Sequence, residues 1–365
     1  MKLPHPLLFL ALASATFAQT LALPNLSPRA TVSQVVGITK VSVDYGRPSV
    51  NKREIWGKLV PYGLADLGFG TNKTAPWRAG ADLSTVVTFA HDVKVAGQPL
   101  PAGAYSLHMI FAESGDITVI FSRNTAQWGS FFYDPADDAL RVQTKWEDAP
   151  HREQLAYEFS DVTKTSATLA LSWEKKRIPL ALTVDTDAIV VASLRRELTS
   201  GQGFDDRAYS LASNYLVQNN LDLNLALEWA NRAIDPRSNG QTDFGTLSQK
   251  AAVLNKLGRT DEASAVMEQA LPLGTATQIH QYGRRLLGGK QFEKALEVFK
   301  YNAQHFPDVW PVNYGLARGY SAVGNYPAAL EAILKAQKQV PAGDTVNAAA
   351  ITTNIEKLKR GENIN

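Results

Sequence analysis

The chain has no cysteine in 365 residues. That absence excludes disulfides, thiolate nucleophiles, Cys-ligated zinc and iron–sulfur clusters. It also removes the lipid-carrying cysteine of a bacterial lipoprotein. Neither sign of charge is in excess: 37 Lys and Arg stand against 35 Asp and Glu, a formal net charge of +2. With no basic run, nothing marks the chain for nucleic acid or an anionic membrane surface. Past the N-terminal stretch no apolar run is long enough to cross a bilayer. The 6 histidines are scattered, with no HxH or HExxH spacing, so no metal site is expected. GxSxG, P-loop and GxGxxG motifs are missing too, and no cofactor is expected. What remains is 45% hydrophobic and 20% charged, the composition of a globular chain long enough for two domains.

At the N-terminus Lys2 precedes an apolar run over residues 7–13, then small residues and Thr16-Phe17-Ala18. This basic–apolar–small order is that of a secretory signal peptide, residues 1–18, cleaved after Ala18, with Ala22 the alternative. An exported chain without disulfides fits a bacterial envelope better than a eukaryotic secreted domain. The expected location is the periplasm or the extracellular space.

Residues 30–185 alternate at period two and are rich in β-branched and aromatic side chains. Strands are expected over 31–36 and 38–45, broken near Gly37, then over 85–89, 92–95, 104–111, 117–121, 140–146, 153–159, 167–173 and 178–184. Gly97-Gln98 and Ser114-Gly115-Asp116 read as turns. About ten short strands without helical crossovers predict an antiparallel β-sandwich, jelly-roll-like.

After residue 187 the period lengthens to that of helices, and an internal repeat appears. Asn220, Gly258, Gly289 and Gly324 stop one helix of each unit, and the small Ala226, Ala263, Ala295 and Ala329 follow on the next. Pro236, Pro272, Pro307 and Pro341 close the units at spacings of 36, 35 and 34 residues. Glycine supplies the left-handed residue that ends a helix, a small residue lets helices approach, and proline cannot continue a helix. The spacing is close to the ~34-residue TPR period, so a TPR-like hairpin array is expected, capped by a helix over 348–360. Such arrays present a concave surface to peptides or partner proteins.

Residues 46–82 escape both patterns, yet carry Arg47, Arg53, Trp56, Tyr62, Trp77, Arg78 and Asp82. Arginine forks grip carboxylates and phosphates, and tryptophan faces stack on sugars or cations. One reading is a site for a small ligand or glycan, with Arg53, Trp77 and Arg78 converging on one pocket. The other is a latch, with arginines on internal acceptors and tryptophans plugging the core. His108 lies on a strand between Leu107 and Met109 and is an exposed or hydrogen-bonded strand histidine. The alternative makes it the general base of an envelope hydrolase, oriented by Asp44 or another carboxylate.

The runs Arg47-Pro48-Ser49, Arg53-Glu54-Ile55-Trp56-Gly57, Leu59-Val60-Pro61-Tyr62-Gly63 and Trp77-Arg78-Ala79-Gly80-Ala81-Asp82 resemble domain-of-unknown-function family 2911 (DUF2911), whose members carry RPS…R.IWG.LVPYG…WR.GAN. Ala102-Gly103-Ala104-Tyr105-Ser106-Leu107, Trp128-Gly129 and Leu171-Ser172-Trp173-Glu174 continue the likeness, which spans residues 26–184. The resemblance implies an exported bacterial protein with a β-sandwich and no assigned activity. The chain departs from the family in the insertion LADLGFGTNKTAP between Gly63 and Trp77, and in Asp82 where Asn is usual. The expected organisation is a signal peptide, a sandwich over 26–185 and a helical array over 187–365. The expected function is non-enzymatic: a small ligand, glycan or peptide on the sandwich, a protein partner on the repeats.

Overall fold

The computed structural model describes residues 24–70 and 74–365, so the signal-peptide reading of residues 1–18 lies outside the described residues. In chain order the strands are β1 (Arg29–Val36), β2 (Thr39–Gly46), the short pair β3 (Ala65–Asp66) and β4 (Thr74–Ala75), β5 (Val86–Phe89), β6 (Val93–Val95), β7 (Gln98–Leu100), β8 (Gly103–Phe111), β9 (Asp116–Ser122), β10 (Asp138–Lys145), β11 (Glu147–Ser160) and β12 (Ser166–Thr183). They form a six-stranded sheet in the order β1-β2-β5-β8-β9-β10, a four-stranded sheet in the order β11-β12-β6-β7 and the two-stranded β3-β4 sheet, all antiparallel.

Alternation decides what faces the core. In β2, Val41, Val43 and Tyr45 are buried while Lys40, Ser42 and Asp44 face away. Val43, Val87, Leu107 and Phe121 of the larger sheet join Val95, Leu155, Leu171 and Leu180 of the smaller in one buried cluster. Each such side chain contributes roughly 1.5–3 kcal/mol of transfer free energy. This is the antiparallel sandwich that the pattern predicts.

Two details differ from the sequence reading. Residues 167–173 and 178–184 are one 18-residue strand, β12, not two. Its charged Glu174-Lys175-Lys176-Arg177 run breaks the alternation but not the ladder. Glu174 takes φ +53 where the register against β11 shifts at Arg152, so the strand bends through a bulge. The turn placed at Gly97-Gln98 is Ala96-Gly97, both at positive φ, as a two-residue hairpin requires, and Gln98 already opens β7.

The chain divides into two compact units between Val190 and Val191. The helices are α1 (Thr186–Glu197), α2 (Ala208–Gln218), α3 (Leu223–Ala233), α4 (Phe244–Lys256), α5 (Thr260–Ala270), α6 (Ala276–Gly288), α7 (Phe292–His305), α8 (Trp310–Ala322), α9 (Tyr326–Gln339) and α10 (Thr345–Lys359). From α2 onward they pack as hairpins, α2 on α3, α4 on α5, α6 on α7 and α8 on α9, with α10 against α9. Ala226, Ala263, Ala295 and Ala329 occupy the first turn or so of the second helix in each pair and are all buried. Among the described residues no helix is long and apolar enough to cross a membrane.

The helix stops follow the expected chemistry at three of the four hairpins. Asn220, Gly258 and Gly324 are left-handed, at φ +51, +78 and +79. In the third unit Gly289 caps α6 at φ −82 and the left-handed residue is Lys290, at φ +59. Gly289 ends the helix as the sequence reading has it, and only the left-handed conformation falls one residue later. A side chain with a Cβ in this conformation costs about 1 kcal/mol or more relative to glycine. Lys290→Gly is therefore expected to raise the stability of the helical unit by roughly 0.5–1 kcal/mol, and Gly324→Ala at the equivalent position to lower it. Urea unfolding followed by helical circular dichroism checks the pair; opposite signs for the two substitutions are required.

Candidate functional site

β5 pairs with β8 only from Gly103 to Ser106, which leaves the far half of β8 without that neighbour. The long connection takes its place. Trp77 N–H donates to the Met109 carbonyl at 2.9 Å and Met109 N–H to the Trp77 carbonyl at 2.8 Å, and Gly63 N–H donates to the Phe111 carbonyl at 2.7 Å. Unsatisfied backbone groups in a buried strand are costly, so the connection is held as an extension of the sheet.

Its aromatic residues close the end of the core. The Trp56 ring lies 5.2 Å from Phe111, 5.7 Å from Trp146 and 6.1 Å from Trp173, while Trp77 stacks on Trp173 at 6.1 Å. Arg47 Nε donates to the Leu155 carbonyl at 3.0 Å, tying the connection to β11. Arg47 and Trp56 thus act as the latch and lie outside the walls of the adjoining cavity. Tyr62 stands half outside, against Trp146.

Arg53, Trp77, Arg78 and Asp82 line one cavity of about 410 Å³. Its opposite wall is Trp128, Ser130 and Phe131 from the β9–β10 connection, with Trp173 between. Arg53 donates to the carbonyls of Val50 (3.2 Å) and Ser49 (2.5 Å). Arg78 donates to the Asp82 carbonyl at 2.9 Å, and its guanidinium lies 5.4 Å from the Phe131 ring and 5.9 Å from the Trp128 ring. Neither arginine makes an ion pair with a carboxylate among the described residues. Burial lowers the Arg78 pKa, an effect the nearby Asp82 charge opposes. The Asp82 carboxylate accepts from Asn25 Nδ2 at 3.1 Å. Gly129, at φ +64, is required here: a Cβ would stand 2.4 Å from Arg78 Nη1.

The rim is apolar and open. Phe69, from the insertion, packs against Phe131 and Phe132, and Phe69, Trp128 and Phe132 are 67%, 53% and 43% exposed. Sequence reading missed this wall, although Trp128-Gly129 falls in a stretch without alternation and was part of the family likeness.

His108 is on β8, on the face turned from the core, as alternation requires. It is completely buried rather than exposed, because the β9–β10 connection covers that face. Ser106 Oγ lies 3.0 Å from its Nε2 and Ser130 Oγ 2.9 Å from its Nδ1, with Gln127 Nε2 3.3 Å from Nε2. Burial, and then the Arg78 charge, push its pKa down to about 4. Asp44 does not orient it: that carboxylate accepts from Arg29 and Thr31, at 2.8 Å each. The His108–Asp44 pair is therefore not formed, since the Arg29 and Thr31 side chains on the neighbouring strand claim the carboxylate. Among the described residues no cluster of His, Cys, Asp or Glu could hold a metal ion.

Residues 27–182 match the family model described as "Protein of unknown function (DUF2911)", and this range holds nearly the whole sandwich. No curated protein matches the chain. Among solved structures it is similar to MamA, residues 41 to the end, from Desulfovibrio magneticus RS-1, at 22% identity over 42% of this chain and 95% of that one, with a TM-score of 0.28. It is also similar to YrrB, described as a TPR protein with an unusual peptide-binding site, at 21% identity over 44% of this chain and 82% of that one, with a TM-score of 0.30.

The low pKa of His108 makes stability depend on pH. As pH falls below 6.5 the unfolded chain takes up a proton that the folded chain refuses until about 4. Stability is thus lost between those values, on the order of 3 kcal/mol from this residue, and is unaffected above them. Urea unfolding at pH 7.5 and pH 4.5, read by tryptophan fluorescence, should show a larger acid loss for the parent chain than for His108→Gln. Equal losses would contradict the assignment.

Proposed function

We propose that the chain is an exported binding protein. Its sandwich takes a small anionic ligand with a ring or other apolar face, and its helical array takes an extended segment of a partner protein. The observation that carries the first half is the convergence of Arg53 and Arg78 on one aromatic-walled cavity of about 410 Å³, each bonded to backbone carbonyls and neither ion-paired among the described residues, with Asp82 as the one carboxylate of the wall. A partly buried guanidinium that the Asp82 charge offsets only in part, without a direct ion pair, leaves charge to be compensated, and a carboxylate, phosphate or sulfate would supply two-pronged hydrogen bonds. Trp77, Trp128 and Phe131 offer faces on which a sugar ring or an aryl group can lie. Acidic sugars and aryl carboxylates are the ligand classes that satisfy both walls. Export rests on the basic–apolar–small order of the N-terminus and the absence of cysteine.

The second half rests on a groove of about 550 Å³ lined by residues of α2, α4, α5 and α6. Asn214, Asn255 and Arg285 line it, and so does Ser248, whose buried Oγ has no hydrogen-bond partner. Polar side chains of this kind can hold the backbone of an extended peptide, and an unpaired buried hydroxyl calls for such a partner.

Calorimetry on the full chain with uronic acids, sugar phosphates and aryl carboxylates, and with their neutral counterparts as controls, tests the sandwich site. Arg78→Gln is expected to weaken the anionic ligands by about 10- to 100-fold, the range of a charged hydrogen bond, with the neutral ones unaffected. Equal binding of neutral and anionic forms would refute the reading. For the array, peptide-library binding should fall about tenfold in Ser248→Ala or Asn255→Ala, as one lost hydrogen bond implies. Binding that both substitutions leave intact would place the peptide elsewhere.

A further inference from the structure

One residue of the cavity wall, Ser130, has no part in the anionic-ligand reading. It is only 2% exposed, and its Oγ lies 2.9 Å from Nδ1 of His108. Ser106 Oγ donates its one proton to the Asn124 carbonyl at 2.9 Å. With the ring protonated on Nε2, Ser106 accepts from Nε2–H at 3.0 Å, Nδ1 is the free base and Ser130 donates to it; with the ring protonated on Nδ1, the Gln127 amide N–H at 3.3 Å donates to Nε2 instead. Only the first tautomer leaves Nδ1 free to take the Ser130 proton. Arg78 stands against Gly129, the residue before Ser130, and its charge acts on His108.

We propose that Ser130 is a serine nucleophile, with His108 as its base and Ser106 as a positioning residue, acting on carboxylic esters that the cavity holds. The arrangement has the parts such chemistry needs: nucleophile and base in hydrogen-bond contact, and the base oriented by a third group. A serine hydroxyl and a backbone carbonyl stand where a carboxylate orients the histidine in the Ser-His-Asp arrangement. In the first step Ser130 Oγ forms a bond to the ester carbonyl carbon as its proton passes to His108 Nδ1. The carbonyl oxygen becomes an oxyanion, and Arg78 supplies the opposing charge. The bond to the alcohol oxygen then breaks and the alcohol leaves with the proton from Nδ1. Water repeats the sequence on the acyl-serine: its oxygen bonds to the acyl carbon, a proton moves to Nδ1, the acyl–Oγ bond breaks and Oγ regains that proton. The products are an acid and an alcohol, with no oxidant or reductant required. The inference rests on the anionic-ligand reading only for the choice of ester, since the Ser130–His108 contact exists without a ligand.

A fluorophosphonate tests the nucleophile independently of that reading: attack by Ser130 Oγ on phosphorus expels fluoride, which takes up the proton. Incubation with the full chain should give one phosphonyl adduct by intact mass, mapped to Ser130 by peptide mass spectrometry and absent from Ser130→Ala. Calorimetry of anionic ligands on the parent chain is read separately from labelling, so a failure of binding and a failure of reactivity are distinguishable. Ser106→Ala should slow labelling at least tenfold with ligand affinity unchanged. With His108 neutral down to about pH 4, the labelling rate should hold from pH 8 to pH 5 and fall only below that. A folded chain whose Ser130 stays unlabelled, or an adduct that survives Ser130→Ala, overturns the proposal.

Discussion

The two hydrogen bonds between Trp77 and Met109, 2.9 and 2.8 Å long, carry the rest of the sandwich site. They exist because β5 is too short to cover β8, whose outer backbone groups need partners. Once Trp77 is fixed in that register, its indole packs on Trp173 at the end of the core and lines the cavity from there, and the next residue, Arg78, lines the same cavity. One backbone pairing thus sets an aromatic plug and a cationic wall in adjacent positions.

The larger sheet is accordingly two-sided. One face supplies the apolar core with Leu107, Met109 and Phe111. The other face, carrying Ser106 and His108, is also buried, under the β9–β10 connection. A half-buried antiparallel sheet ordinarily exposes such residues to water. Covering them makes unpaired polar atoms costly, and Ser106, His108, Ser130 and Asn124 form a chain of hydrogen bonds, while the buried Gln127 Oε1 beside them has no partner among the described residues. The same enclosure keeps His108 neutral and places a polar array beside the arginine-lined cavity.

The helical unit answers a different constraint, that each hairpin must bury a stripe against the next. A buried alanine near the start of each second helix sets the approach of the pair, and a left-handed residue ends each first helix. Lys290 shows that the backbone conformation is the requirement and glycine only its usual means.

Local chemistry was legible in the amino-acid order. Period-two alternation, positive-φ turn residues and the proline-spaced repeat predict most strands, the hairpins and the change from sheet to helix, because each depends on residues within a few positions of one another. The Glu174 bulge was not legible: a charged run breaks the hydrophobic pattern while the ladder, made by backbone atoms, continues. At the site, residues 46–82 stood out by composition, but their division into latch and cavity wall did not. Arg47 differs from Arg78 only in what folds against it, Leu155 in one case and Gly129, Trp128 and Phe131 in the other. The sequence by itself determined the elements and the presence of unplaced arginines and tryptophans. The tertiary structure alone decided that Ser130 meets His108 and that Asp44 does not, because side chains separated along the chain meet only through strand order and the path of the connections.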